Sequence, residues 1–196
     1  VQLLLFLALS LFSRANDAVN EVCWRVWLEA KSAHAPVVQE LTGAQRTVLC
    51  AGFLTDDGLR PAAKGEIGPL GVDEETFFRK ARANAQADLA GLKPRYVRNR
   101  KKVIEYAELK SDKPLVSGAV LAPGFLALFK DTLGPKVLVV VPNRFTAYVF
   151  PALATTYEDY GPMVLEAVQA SAWPVSAEVL EVSAEGLRAV AVYREP

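Results

Sequence analysis

The sequence predicts an α+β fold: an antiparallel or mixed sheet with helices packed mainly on one face. Three observations point there. Residues 137–141, VLVVV, are an unbroken run of apolar and mostly β-branched side chains, the mark of a strand buried on both faces and so central to a sheet. Short turn-forming segments join several strand-like stretches, as hairpins require. Residues 74–92 carry an apolar stripe at helical spacing. The chain has 196 residues, of which 52% are hydrophobic and 22% charged, which suits one domain with a sizeable core over residues 16–196. Lys plus Arg and Asp plus Glu number 22 each, so no net field draws the whole protein to nucleic acid or an anionic membrane.

Residues 1–12, VQLLLFLALSLF, are too short to span a bilayer comfortably but have signal-peptide length. Ser13 and Ala15 are small residues at the two positions a signal peptidase reads, so cleavage after Ala15 is an expectation. No Lys or Arg precedes the run, and an uncleaved membrane anchor or an ordinary buried helix are the other readings. Export to a periplasm-like compartment follows if residues 1–15 act as a signal, and a cytoplasmic location otherwise.

From Asn16 the apolar positions Val19, Val22, Cys23, Val26, Trp27 and Ala30 follow a three-four rhythm, which predicts an amphipathic helix capped by Asn16 or Asp17 and ended by Pro36. His34, the only histidine, falls in its last turn and reads as a solvated side chain, since no Cys or second His offers metal-ligand spacing. Cys23 and Cys50 are compatible with one disulfide in an exported chain and with two separate buried thiols in a reducing compartment. Neither a redox pair nor a zinc or other metal site is expected, and no cofactor is implied.

Residues 37–41 and 47–54 predict a hairpin around the loop 42–45, and Asp56-Asp57-Gly58 reads as a turn rather than a cation loop. Residues 59–71, rich in Gly and Pro, predict a loop. It lacks the Gly-Lys-Ser/Thr ending of a phosphate loop, because Lys64 merely precedes Gly65. Asp73 is a good N-cap, with Glu74 and Glu75 in the first turn, where the helix dipole favours them. Phe77, Phe78, Ala81, Ala85, Leu89 and Leu92 form the docking face, with Arg79, Arg82 and Gln86 away from it.

Residues 93–102 hold six basic side chains and no acidic one. Arg95, Arg98, Arg100 and Lys101 are therefore candidates for anion binding, against the plainer reading of an edge strand whose charges discourage pairing. Tyr96 alone is a thin stacking platform, so a nucleic-acid surface is not expected. Residues 103–109 and 115–121 predict a hairpin, and Pro123 opens a helix that is apolar over most of its girth, predicted buried, and stopped by Gly134-Pro135. The VLVVV strand, a turn at residues 142–144 and a strand at 145–150 form an antiparallel pair. A helix over 161–172 ends at Trp173-Pro174, and a hairpin of 179–183 with 187–193 turns at Gly186.

The segment GVDEETFFRKARANAQADL, with its Asp-Glu-Glu start and the Ala-x-x-Asn stretch from Ala81 to Asn84, resembles the helix that precedes the core of the YtpQ-like family of uncharacterised bacterial proteins. The order of elements from Gly71 to Tyr193 is similar to that family as well, and the N-terminal region departs from it. The resemblance implies a bacterial protein and carries no active-site residue, because the family's function is unknown.

Two function classes remain open: a non-catalytic binding or accessory module, and a carboxylate-dependent hydrolase or transferase with an anionic substrate. Ser117 and Ser171 lack a visible base, and Glu158 with Asp159 do acid-base work only if held on opposite sides of a substrate. The candidate site is the turn after the central strand, Asn143 and Arg144, with Tyr148 and Tyr157 nearby, where Arg144 offers a fork for an anion. Expected partners are a protein or a small anionic ligand, with membrane contact only through residues 1–15.

Overall fold

The computed structural model describes residues 20–153 and 155–194, without the side chains of residues 155 and 156. The expected signal or anchor at residues 1–15 and the proposed caps Asn16 and Asp17 lie outside the described residues. No helix among the described residues is long and apolar enough to cross a membrane.

The fold is α+β, with two antiparallel sheets. In the first, β1 (Trp24–Ala30) pairs along one edge of β3 (Thr47–Thr55), while β2 (Val38–Glu40) and β4 (Gly58–Pro61) take successive parts of the other edge. The second has six strands. These are β5 (Arg95–Arg98), β6 (Ile104–Lys110), β7 (Val137–Asn143), β8 (Thr146–Pro151), β9 (Glu178–Ser183) and β10 (Gly186–Val192), in the spatial order β10-β9-β7-β8-β6-β5.

The VLVVV run lies inside this second sheet as expected, and all seven residues of β7 are buried. Its side chains alternate between two cores, as the two-residue period of a strand requires. Val137, Val139 and Val141 face one that also holds the first sheet's Val26, Leu49 and Phe53 and three helices. These helices are α1 (Glu74–Ala90), α2 (Val116–Ala119) and α3 (Phe125–Leu133). Leu138 and Val140 face the other, which α4 (Gly161–Gln169) covers with Val164.

Over its described residues, 20–36, the predicted helix is instead a short 3-10 turn, then β1, then a second 3-10 turn at Lys31–Ala33. A strand buried on both faces has no polar-apolar alternation, so its apolar residues satisfied a helical spacing by coincidence. Its Trp and Val content suits a strand, and Val22, placed on the supposed apolar face, is 70% exposed. The buried Arg25 fits because its guanidinium binds both Asp88 oxygens, at 2.7 and 3.2 Å, and the Val22 and Trp24 carbonyls. That fork ties β1 to α1. Asn84, the end of the Ala-x-x-Asn stretch, strengthens the tie by donating to the Glu21 and Trp24 carbonyls.

Residues 115–121 are not a strand either. They hold the short helix α2, whose small residues let it press on β1: a Cβ on Gly118 would sit 3.0 Å from the Val26 carbonyl oxygen. Residues 58–61 of the predicted loop form β4, because the two-residue turn at Asp56-Asp57 folds them back onto β3. Helix α3 buries Phe125, Phe129 and Leu133 but leaves Leu128 exposed, so it is covered on one side only. The Asp73 cap is as expected, its Oδ1 accepting from the Thr76 amide at 2.7 Å.

Polar bridges lock the two sheets together. The Ala189 amide of β10 donates to the Thr42 carbonyl at 2.8 Å, and a Cβ on Gly43 would lie 2.5 Å from the Ala189 oxygen, so this crossing needs glycine, which also stands at φ 77°. Glu178 of β9 accepts from two amides of the loop between β2 and β3. Arg144 reaches from the turn between β7 and β8 to Glu29 of β1.

Candidate functional site

The turn at Asn143 and Arg144 is occupied by the protein itself. Asn143 is buried, its Oδ1 accepting from the Phe145 amide at 3.0 Å and its Nδ2 donating to the Ala167 carbonyl at 3.2 Å. Both ends of the amide are taken by backbone groups, one in its own turn and one on α4. The Arg144 guanidinium lies 5.6 Å from the Trp27 ring centroid and donates through Nε at 3.1 Å and through its terminal nitrogen to Glu29 Oε2. Glu29 is held in turn by Trp27 Nε1 at 2.8 Å and by the Ala30 amide at 3.1 Å. The fork expected for an external anion is thus closed by an internal carboxylate. Arg144 is a structural clamp, and its truncation would leave the Glu29 carboxylate buried without its charge partner.

Tyr148 points into the core beneath α4, edge-on to Tyr106 with ring centroids 5.9 Å apart, and does not share a face with Arg144. Burial first, then the Glu108 carboxylate, pushes its hydroxyl above the ordinary tyrosine value. Tyr157 stands beside Tyr193, whose hydroxyl donates to the Tyr157 carbonyl.

The basic run forms the edge strand β5 and the turn after it. Arg95 is paired with the buried Glu108, and Arg98 donates to the Lys102 carbonyl at 3.0 Å. Arg100 and Lys101 project from the exposed turn. The four therefore do not converge on one point. Glu108 feels opposing influences: burial raises its carboxyl, while hydrogen bonds from Lys110 and Arg95 lower it and prevail, leaving it below the ordinary value.

Cys50 is opposite Trp27 in the strand register, and Cys23 lies four residues back along the chain from Trp27. At about 3.3 Å per residue that is roughly 13 Å, too far for a disulfide. The two are separate thiols, and burial pushes that of Cys50 up to about 12. The Ser117 hydroxyl is buried without a hydrogen-bond partner among the described residues, and Ser171 accepts from the Trp173 amide. Glu158, Asp159 and His34 are exposed, and Asp56 with Asp57 make the turn before β4. Among the described residues no group of three or more His, Cys, Asp or Glu side chains is placed to hold a metal ion.

A different place has the makings of a site. A cavity of about 680 Å³ opens between the end of β1, the loop before β3, helix α4 and the segment before β9. Leu165 and Val168 of α4, with Val175 and Ala177, supply its apolar wall. Lys31, Arg46 and Arg194 line it too, and among the described residues no carboxylate does. Lys31 shares its charge with the exposed Glu40 at 2.9 Å. Arg46 and Arg194 have no ion-pair partner among the described residues.

The backbone that presents these cations is fixed. The Gln45 and Arg46 amides both donate to Glu178 Oε1, at 2.7 and 3.1 Å, and the Lys31 amide donates to the Arg46 carbonyl at 2.7 Å. The Tyr193 amide bonds the Ala177 carbonyl at 3.0 Å, anchoring the residue before Arg194. A guanidinium offers planar, paired donors, so two of them beside an apolar wall suit a carboxylate or phosphate carried on a hydrocarbon body. A second cavity of about 470 Å³, between β2, α1 and the β9–β10 hairpin, is mixed in charge, with Arg82 and Glu40 both in its lining.

None of Lys31, Arg46 or Arg194 stood out in the sequence. Each is a single basic residue beside a strand end, and only the sheet topology gathers them. No family model, curated protein or solved structure matches the chain, so none of them supports the expected resemblance to the YtpQ-like family.

Proposed function

We propose that this chain is a non-catalytic binding module that takes a small anionic ligand with an apolar body into the cavity between β1, α4 and the segment before β9. The observation that carries this reading is the lining: Lys31, Arg46 and Arg194 together with Leu165 and Val168, and among the described residues no acidic side chain. Two guanidinium groups without an ion-pair partner among the described residues, set at an apolar wall, favour a ligand that supplies both the charge and the hydrocarbon. Its head group meets the two guanidinium forks, and its tail lies against α4.

Isothermal titration with isocaproate, a branched carboxylate, tests the reading. Arg46→Ala and Arg194→Ala should each weaken binding by about 1.5–3 kcal/mol, the usual worth of a hydrogen bond to a charged group, and added salt should weaken it further. Unchanged affinity in the double variant, or no binding to the wild-type protein, overturns the proposal.

A further inference from the structure

The floor of the loop that carries Arg46 holds a group that the anion site does not use. Glu178 is 4% exposed, and its Oε1 takes both the Gln45 and Arg46 amides, yet its Oε2 is buried with no hydrogen-bond partner among the described residues. A buried carboxylate oxygen left unpartnered is costly, and such atoms in a native fold call for an explanation. The residue that carries it borders space: a cavity of about 390 Å³ is lined by Glu178, Gly43, Gln45, Arg46, Val190 and Arg194. Gln45, Arg46 and Arg194 line the larger apolar-walled cavity as well, so the two spaces meet at these side chains.

Together the two cavities present three complementary features around one pair of arginines: an unsatisfied anion oxygen, two guanidinium groups, and an apolar wall. We infer that the ligand is zwitterionic, an α-amino acid with an aliphatic side chain. Its carboxylate binds Arg46 and Arg194, its ammonium donates to Glu178 Oε2, and its side chain rests on Leu165 and Val168. An ammonium has three donors and satisfies the oxygen that the fold leaves bare. A plain carboxylate fills the arginine forks but leaves Glu178 as it is.

The inference rests on the anion-binding reading above, and a comparison of leucine with isocaproate, its analogue without the amino group, separates the two. Calorimetry on the wild-type chain should show leucine binding about tenfold more tightly or better, the worth of one charge-assisted hydrogen bond. Glu178→Gln keeps an oxygen for the two loop amides and should erase that preference, so that leucine and isocaproate bind the variant with similar affinity. Equal affinity of the wild-type protein for both ligands overturns the inference and leaves the anion site standing. Binding of neither overturns both. The wild-type comparison does not depend on how the variant folds, and circular dichroism with the isocaproate titration checks the variant itself.

Discussion

Replacing Glu29 with Ala should cost about 3–5 kcal/mol of folding stability, the range for breaking a buried ion pair from one side. The magnitude follows from what the carboxylate holds. It accepts from Trp27 Nε1, the Ala30 amide and two nitrogens of Arg144, and both Glu29 and Arg144 are largely withdrawn from water, with side chains 4% and 13% exposed. Opposite charges about 4 Å apart at an effective dielectric constant near 20 attract by about 4 kcal/mol. Removal of Glu29 strands the Arg144 charge over Trp27, where solvent repays little of that. In urea, with a slope of about 2–3 kcal/mol/M, the midpoint should fall by about 1 M or more. Glu29→Leu combined with Arg144→Met should lose far less than either truncation alone, because no charge is then left buried. A Glu29→Ala loss below about 1 kcal/mol, the value of an exposed pair, would refute the assignment of this pair as the clamp between the sheets.

Other outcomes follow from packing and charge. Gly52→Ala should destabilise by at least about 1–3 kcal/mol in thermal or urea unfolding, as overpacking does, since its Cβ would meet the Arg60 carbonyl oxygen at 2.1 Å and the Trp27 ring at 2.7 Å. Glu108 has a carboxyl lowered below its model-compound value of 4.5, so its contribution is present above that pH and lost as pH falls through the lower folded value. Glu108→Gln should therefore flatten the acid limb of the stability profile, and an unaltered limb would contradict the pairing with Arg95 and Lys110. The Cys50 thiol, raised to about 12 and buried, should resist alkylation at pH near 8 until the chain unfolds, as mass spectrometry of the labelled peptide would show.

The central strand, the α1 helix with its Asp73 cap, and the hairpins β2–β3, β7–β8 and β9–β10 were legible because each has a local cause: a β-branched run, a side-chain cap, or a turn of fixed length. β1 was not, because burial on both faces removes alternation, and the polar residues that interrupt the apolar pattern, Arg25 and Glu29, find their charge partners only through tertiary contacts. α2 was misread for a related reason. Its small residues are chosen by the closeness of β1, which no local periodicity records. The same logic governs the sites. Arg144 stood out because it follows the strongest strand, yet its partner lies far away in sequence at Glu29. Arg46 and Arg194 gave no local signal at all, being joined only when β9 and the loop before β3 meet at Glu178.

The location of the anion site is tested most directly by a two-dimensional amide NMR titration with isocaproate. Shifts should concentrate at Lys31, Gln45, Arg46, Leu165, Val168, Ala177 and Tyr193, which surround the cavity of about 680 Å³. Shifts centred instead on Asn143 and Arg144, or on the basic turn at Arg100 and Lys101, or an unperturbed spectrum at saturating ligand, would contradict it.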